Sequence, residues 1–291
     1  MVFIASAASA QTPLGSAQTF AVLGASTVTN TGATMITGDV GVIPGTAITG
    51  FLAPPANVVA GPGTVTAGPG TVNGTIYAGG PVAALAHGDA VLAYASLGGM
   101  ACLPANNLSG QVLGTAVTTL PPGVYCFDTS AQLTGTLTLT GAGPWIFQIG
   151  TTLTTASNSS IVVVDAGSNC SGSNVFWLVG SSATLGTGTA FAGHILALTS
   201  ATVTSNVSVS GSVMALTGAV TMDTNNISVC SSGSGPFPPV LDKCEDHHDR
   251  DGDDHGHYDK DKHKDEHKGK DKDQDHKGTG KDHESKDGKR G

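Results

Sequence analysis

Threonine and serine recur at a fixed interval in the middle of the chain, and they are its main candidate functional residues. Matching positions of four similar segments hold the pairs Thr151/Thr154, Ser181/Thr184, Thr199/Thr202 and Thr217/Val220. A threonine carries a methyl and a hydroxyl group on a side chain with few rotamers. A regular array of such side chains can anchor a layer of ordered water. The alternative explanation is that threonine is simply a good strand residue on an uncharged surface.

Charged groups suited to catalysis are scarce in residues 1–242. This region contains no Lys or Arg. Its acids are Asp39, Asp89, Asp128, Asp165, Asp223 and Asp242. Hydrolases and lyases built on parallel β-helices need paired carboxylates and usually a cation, and His87 and His194 are expected to be structural or surface residues. The region is therefore predicted to have no enzyme activity and no cofactor, and without cations it is not expected to bind nucleic acid.

The C-terminal region differs sharply in composition. Residues 243–291 hold all 13 Lys and Arg of the chain and no aliphatic residue, which predicts a disordered tail after a linker at 231–242. Histidine-rich tracts can bind transition metals through neutral imidazoles. Weak metal binding by this tail is therefore one interpretation, and a solvated spacer is the other. The candidate ligands are His247, His248, His255 and His257.

The recurring threonines belong to an internal repeat. Four segments align without gaps: Ile146–Ile161, Phe176–Phe191, His194–Val209 and Ser212–Ile227. Positions 150, 180, 198 and 216 are equivalent, so two intervals are 18 residues, and the third contains an insertion around 165–174. Three strands of about six residues make one coil of a three-sided β-solenoid. Residues 22–35 are predicted to form another coil, with Gly24 at the position of Gly150.

One helix is predicted among the strands. Residues 81–97 are rich in alanine, begin with a proline after two glycines and end before two more. Positions at helical spacing are expected to lie over an apolar side of the solenoid. They are Val82, Leu85, Ala86, Leu92 and Ala93. Residues 51–75 contain the hexapeptide AGPGTV twice and predict a loop or cap over the solenoid end.

The N-terminus is similar to the end of a secretory signal peptide. A short apolar run precedes Ala8-Ser9-Ala10, an A-x-A cleavage site, so residues 1–10 are predicted to be removed and the rest secreted. A frayed terminus of small residues is the alternative. Disulfides suit a secreted chain with five cysteines, and the spacing leaves Cys102–Cys126, Cys170–Cys230 and Cys230–Cys244 open. No apolar run of about 18 residues occurs, so no membrane span is predicted.

Several long motifs carry a family resemblance. They are residues 37–51 (TGDVGVIPGTAITGF), 121–139, 146–157, 175–203 and 216–226. In this order they resemble the microbial ice-binding-protein-like family, and the likeness extends over about 14–229. It implies a mainly β fold, a discontinuous right-handed three-sided β-solenoid with one long helix alongside. The domain is predicted at 14–230, with the N-terminal segment packed beside the late coils.

The resemblance also implies secretion and ice binding through a flat face. The family's ice-contact signature, often written T-[AG]-x-[TN], is fitted fully by Thr31-Gly32-Ala33-Thr34 and in part by Thr187-Gly188-Thr189-Ala190. Thr31, Thr34, Thr187 and Thr189 therefore form a second candidate set beside the regular threonine column. Stacked strands repeat at about 4.7–4.9 Å, which is close to a repeat in the ice lattice.

The sequence predicts a secreted protein that binds ice crystals and inhibits their growth or recrystallisation. The alternative, from another class, is an adhesive or structural protein of the cell surface or extracellular matrix with the cell wall as partner. A carbohydrate-binding protein is a third interpretation, but aromatic residues make up only 5% of the chain.

Overall fold

A computed structural model describes residues 13–164 and 172–229. The predicted signal peptide, linker and tail lie outside these residues. So do Cys170, Cys230 and Cys244, and the four tail histidines named as candidate metal ligands.

Short strands make up most of the structure. In chain order they are β1 Phe20–Gly24, β2 Thr27–Asn30, β3 Met35–Thr37, β4 Asp39–Val42, β5 Ala47–Phe51, β6 Val58–Ala60, β7 Thr64–Ala67, β8 Thr71–Asn73, β9 Thr75–Ala78, β10 Val112–Leu113, β11 Thr119–Leu120, β12 Gly123–Phe127, β13 Ala131–Leu133, β14 Thr136–Thr140, β15 Trp145–Ile149, β16 Leu153–Thr155, β17 Ser160–Val164, β18 Val175–Val179, β19 Ala183–Leu185, β20 Ala190–Ala192, β21 His194–Ala197, β22 Ala201–Val203, β23 Ser208–Ser210, β24 Val213–Ala215, β25 Val220–Met222 and β26 Asn226–Ser228. The helix α1 spans Pro81–Gly98, and two short 3-10 helices span Gly15–Thr19 and Pro104–Asn106.

The strands form three parallel sheets, one for each side of a solenoid. The helix-covered sheet has the order β12-β15-β18-β21-β24-β1-β4-β9-β6, and the threonine sheet has the order β10-β13-β16-β19-β22-β25-β2-β5-β7. The third sheet has the order β11-β14-β17-β20-β23-β26-β3-β8. The predicted three-sided β-solenoid is confirmed. The equivalence of positions 150, 180, 198 and 216 is also confirmed, because the residues before them pair in register.

The solenoid is discontinuous in sequence. The N-terminal coil stacks on the last coil of the chain, since β1 pairs with β24, β2 with β25 and β3 with β26. The chain thus builds one end of the stack first, crosses along α1 to the opposite end, and returns coil by coil to meet its own beginning. The predicted packing of the N-terminal segment beside the late coils is confirmed.

The core fills the interior of the coils. Each strand turns alternate apolar side chains inward, and the aromatic ones stack from coil to coil. The ring centroids of Phe147 and Trp177 lie 3.8 Å apart, and Tyr125 stacks on Phe147 at 5.5 Å. Trp145 and Trp177 donate from their indole nitrogens to the buried carbonyls of Leu120 and Ala192. These contacts hold the coils at a fixed register.

The helix is confirmed but its buried side is not the expected one. Ala83, Ala86, Ala90, Ala93 and Leu97 are buried against the sheet. Of the stripe proposed from the sequence, only Ala86 and Ala93 are buried; Val82, Leu85 and Leu92 are exposed. Small alanines let the helix backbone approach a sheet whose outer face already carries large side chains. The sheet residues in this cluster include Phe176, Leu178, Leu196 and Met214.

Two further expectations need correction. Residues 51–75 lie at one end of the solenoid, as expected for a cap, but they form a terminal coil with strands instead of a loop. One AGPGTV copy leads into β7 and the other into β8. Gly24 is offset by one from the predicted position, because it pairs with Ala215 and so matches Ile149 rather than Gly150. Of the cysteine pairs, Cys102–Cys126 forms a disulfide that ties the segment after α1 to β12.

Candidate functional site

A single column of threonines runs along the outer surface of the threonine sheet. Consecutive strands bring seven threonines into direct register, and Gln132 and then Val112 continue the column at one side. They are Thr154, Thr184, Thr202, Thr221, Thr29, Thr49 and Thr66. All seven are exposed or partly exposed. At about 4.7–4.9 Å per strand the column extends for roughly 29 Å.

A second column lies beside the first, two residues earlier in each strand. It contains Ser130, Thr152, Ser182, Ser200, Ala219, Thr27, Ala47 and Thr64. Each coil therefore presents a small residue and a threonine in the pattern (Thr/Ser/Ala)-x-Thr. We call these two columns the Thr-x-Thr face. Its side chains are all small except Gln132, and none is charged.

The flatness of this face follows from the residue between the two columns. That residue points inward and is buried, as in Leu153, Ala183 and Val220, except for the partly buried Val65 of the terminal coil. Because alternate residues of a strand point to opposite sides, its burial forces both neighbours outward. Along the outer surface, the Ser182 and Ser200 hydroxyls lie 2.9 Å apart and link adjacent coils. The β-branched threonines add few rotamers of their own.

A buried polar network holds the face together where the chain is discontinuous. The Thr34 hydroxyl donates to Asn30 Oδ1 at 2.6 Å and accepts from the Asn225 backbone at 3.1 Å. Asn30 in turn donates to the carbonyls of Gly32 and Gly50. This network joins the N-terminal coil to the last coil at the corner next to β2 and β25. It thereby keeps Thr29 in register with Thr221.

The regular column was predicted in part. Thr154, Thr184 and Thr202 lie together on the face as expected. Val220 does not belong to the outer column, because it is fully buried and Thr221 takes the outer position. The cause is one extra residue in the corner before β25: residues 216 and 220 align with residues 198 and 201.

Sequence reasoning missed four members of the column, Thr29, Thr49, Thr66 and Thr221. A Thr-x-Thr or Ala-x-Thr pattern was present as Thr27-Val28-Thr29, Ala47-Ile48-Thr49 and Thr64-Val65-Thr66. Their spacing differs from 18 residues, however, and they precede the helix in the chain. The alternating pattern alone, without the period, could have found them.

The other residues of the first set, Thr151, Ser181, Thr199 and Thr217, lie at the corner with the helix-covered sheet. The first three come one residue before the second column, whereas Thr217 comes two residues before Ala219 because of the extra residue. Thr151, Thr199 and Thr217 are exposed and Ser181 is partly so. The Thr217 hydroxyl donates to the Leu198 carbonyl at 2.6 Å, which reflects the bulge at the extra residue. These side chains border the Thr-x-Thr face and widen its uncharged surface.

The signature set divides into two surface residues and two core residues. Thr34 and Thr189 are fully buried, so the prediction that they contact ice is wrong. Their hydroxyls point into the corner, where Thr189 bonds to the Gly186 carbonyl and to Thr155. Thr31 and Thr187 are exposed at the opposite border of the Thr-x-Thr face. In this sequence the signature therefore marks a turn. One of its threonines, Thr34 or Thr189, forms hydrogen bonds with backbone groups in the interior.

Every acid in the described residues accepts a hydrogen bond from the protein. Asp39 accepts from the Thr75 backbone, Asp89 from Ser16 and Asp128 from Asn107. Asp223, at the border of the face, accepts from the hydroxyls of Ser205 and Thr224, which lower its pKa below the ordinary value. The partners of Asp39 and Asp128 are distant in sequence.

The two histidines of the solenoid domain, His87 and His194, take part in packing. His87 Nε2 is 2.8 Å from the Leu216 carbonyl and links α1 to the sheet. His194 Nδ1 is 2.8 Å from the Ser212 hydroxyl, its ring stacks on Phe176, and burial lowers its pKa to about 4. In residues 13–164 and 172–229, no three His, Cys, Asp or Glu side chains cluster in a way that could hold a metal ion. Nor does any helix of that part combine the length and apolarity needed to cross a membrane.

Comparison with known proteins identifies a family and several relatives of this chain. The ice-binding-like family model matches residues 22–228. An ice-binding protein of Nostoc sp. (strain HG1) is 50% identical over 220 residues, covering 74% of this chain and 73% of the relative. Ice-binding protein K3-B1 of Typhula ishikariensis is 31% identical over 207 residues, covering 68% of this chain and 81% of the relative.

A solved structure agrees with these sequence relatives. The ice-binding protein of the Antarctic ascomycete Antarctomyces psychrotrophicus superposes with a TM-score of 0.64 at 34% identity, covering 75% of this chain and 98% of that chain. The family match spans residues 22–228, which is more than half of the chain. This chain therefore belongs to the ice-binding-like family.

Proposed function

We propose that this protein binds ice crystals through the Thr-x-Thr face and thereby inhibits their growth or recrystallisation. The observation that carries the proposal is the unbroken register of seven threonines, Thr154, Thr184, Thr202, Thr221, Thr29, Thr49 and Thr66, across strands from both ends of the chain. The names of its relatives support the same activity.

The physical basis is the match between a rigid surface and ordered water. Each threonine methyl favours a cage of water around it, and each hydroxyl anchors that water by hydrogen bonding. Because the strands beneath them already hold the threonine side chains, little side-chain conformational entropy is lost when the protein binds the water layer. Many weak contacts then act together over about 29 Å. A long charged side chain would disrupt this layer, and the face has none.

The other two sides of the solenoid present no comparable array. The helix occupies one side, and the third sheet carries a mixture that includes Met35, Val162 and Asn226 on its outer surface. The Thr-x-Thr face repeats threonine at one position in seven successive strands. We therefore assign ice contact to this face, with Thr31, Thr187 and the Thr151 column at its borders.

We further propose that the protein acts outside the cell. Residues 1–10 would be removed as a signal peptide, residues 14–230 would form the ice-binding domain, and 231–242 would link it to the charged tail at 243–291. The Cys102–Cys126 disulfide suits an oxidising compartment. No catalytic step is assigned, since every described carboxylate accepts a hydrogen bond within the fold.

Substitution of one threonine by tyrosine tests the assignment. Thr202→Tyr places a bulky ring in the middle of the column and should lift neighbouring threonines from the ice lattice. Thermal hysteresis and recrystallisation inhibition should fall several-fold, while circular dichroism stays unchanged. Ser208→Tyr, at an exposed position of the third sheet, is the matched control and should keep full activity.

The same measurements can reject the proposal at two levels. If Ser208→Tyr loses activity and Thr202→Tyr keeps it, the ice-contact surface lies on the third sheet. If Thr187→Tyr alone loses activity, the turn signature marks the surface. A wild-type protein without hysteresis or recrystallisation inhibition would exclude ice binding altogether.

A further inference from the structure

The side of α1 that faces away from the solenoid is apolar, and no other part of residues 13–164 and 172–229 covers it. Leu85 and Leu92 are each 68% exposed, and Val91 is 42% exposed. Ala84, Gly88 and Ala95 complete this surface. Asp89, the one acid of the helix, is held at the side by the Ser16 backbone and hydroxyl. A helix that is apolar on all sides is normally buried on all sides. We therefore expect this face to be covered by a partner.

The exposed residues have the spacing of a helix–helix seam. Leu85, Gly88, Leu92 and Ala95 follow one another at steps of three, four and three residues. Alternating steps of three and four keep side chains on one stripe that faces another helix. Large and small residues alternate along this stripe. The alternation determines which orientation of a partner helix fits.

The stripe is complementary to itself when two copies run antiparallel. A twofold axis passing near Ala90 places Leu85 opposite Ala95 and Gly88 opposite Leu92. Each leucine then meets a small residue, as close packing requires, and every contact occurs twice, as in other twofold interfaces. A parallel pair would set Gly88 opposite Gly88 and leave a void. No atom lies within 4 Å of the position of a Cβ on Gly88, so the space that a leucine would fill is open.

We propose that a second copy of this chain covers this face, with the two α1 helices packed antiparallel. The face is uncharged, so pairing brings no like charges into contact. A helix of 18 residues is about 27 Å long, and one such pair buries an area at the low end of specific interfaces. The dimer is therefore expected to be weak. Salt strengthens it, because residues 1–242 are acidic without a single cation and salt screens their mutual repulsion.

Dimerisation leaves the proposed ice-contact surface free. Helix α1 packs on the helix-covered sheet, whereas the Thr-x-Thr face belongs to a different side of the solenoid. The inference therefore does not depend on ice binding. Ice activity also provides an independent check that variants of the helix remain folded.

Sedimentation equilibrium of the full chain between about 5 and 500 µM tests the dimer. The informative variant is Gly88→Leu, which adds an apolar side chain where the monomer has space. It should raise the dimer Kd more than tenfold, because the added leucine occupies the hole for Leu92 of the second copy. Its Tm should be unchanged or higher, since leucine is a better helix former than glycine. If the association were non-specific and hydrophobic, the added leucine would instead lower the Kd.

Charge variants give the second comparison. Leu92→Glu should make the protein monomeric over the whole range, and Val162→Glu, at an exposed position of the third sheet, should dimerise like the wild type. Wild type that stays monomeric up to about 500 µM would overturn the proposal. A Gly88→Leu variant that dimerises as tightly as the wild type would overturn the antiparallel seam.

Discussion

At the scale of single residues, the direction of a side chain decides what a hydroxyl group does. Thr154 and Thr155 are neighbours, yet Thr154 is exposed on the Thr-x-Thr face and Thr155 is buried and bonded to Thr189. The sequence distinguishes them only through the buried Leu153, which sets the alternation. At corners the alternation stops, so the burial of Thr34 and Thr189 could not be predicted from the sequence. The column positions inside strands could be predicted, because the alternation continues there.

The buried His194 should make stability depend on pH. Its folded-state pKa of about 4 lies below the ordinary value of 6.5, so the unfolded chain binds the extra proton between these values. The neutral ring therefore contributes fully above about pH 6.5, and stability falls as the pH drops towards 4. The loss should amount to about 3 kcal/mol.

Urea unfolding at pH 7, 6, 5 and 4.5 measures this effect. The wild type should lose stability steadily over the series, and His194→Gln, which retains a partner for Ser212 without a titrating group, should lose much less. Equal slopes for both proteins would show that His194 is not the titrating residue. Asp89 and Asp223, whose pKa values are lowered by hydroxyl donors, act only at more acidic pH.

At the scale of elements, the repeat predicted the coils but not their exact register. The 18-residue period identified the coils from β18 to β26, whereas one extra residue before β25 moved Thr221 into the place expected for Val220. For α1 the existence and length were predictable from its alanines and flanking glycines. Its buried side was not, because both sides are apolar and periodicity cannot choose between them.

The junction between β2 and β25 should depend on Thr34. Thr34→Val keeps the shape of the side chain but leaves Asn30 Oδ1 and the Asn225 backbone without a buried partner. The expected cost is about 1–3 kcal/mol, or a fall in Tm of roughly 3–10 °C. Thr221→Val removes an exposed hydroxyl on the strand β25 at the same junction and should change stability by less than about 0.5 kcal/mol. Thermal unfolding of both variants compares the two sites, and equal Tm values would contradict a structural role for the network.

At the scale of the whole molecule, the charged tail should be independent of the solenoid. Residues 243–291 offer no aliphatic side chain to a core, so their removal should leave the Tm unchanged. Full-length Cys244→Ser is the control, because it separates loss of the tail from loss of a disulfide. A fall in Tm of more than about 5 °C on truncation alone would show that the tail packs on the domain.

The helix also fixes the number of coils. It starts after β9, and the Gln148 amide on β15 donates to the carbonyls of Leu97 and Met100 at its C-terminal end. From β15 to β9 the sheet has the order β15-β18-β21-β24-β1-β4-β9, which is six steps or about 29 Å. An 18-residue helix is about 27 Å long. The helix therefore matches the length of the seven strands from β15 to β9, and we expect that neither can change alone.

Duplication of one complete coil, residues 194–211, tests this match. In a continuous repeat array an added repeat stabilises the whole. Here it would lengthen the stack by about 4.8 Å, or about three helical residues, and pull Gln148 away from the end of α1. The Tm should fall by roughly 5–15 °C, which corresponds to about 2–4 kcal/mol. Adding four alanines after Ala95 in the same variant lengthens the helix by one turn and should recover part of the loss. A Tm that rises on duplication alone would mean that the coils set their own number and that the helix merely lies against them.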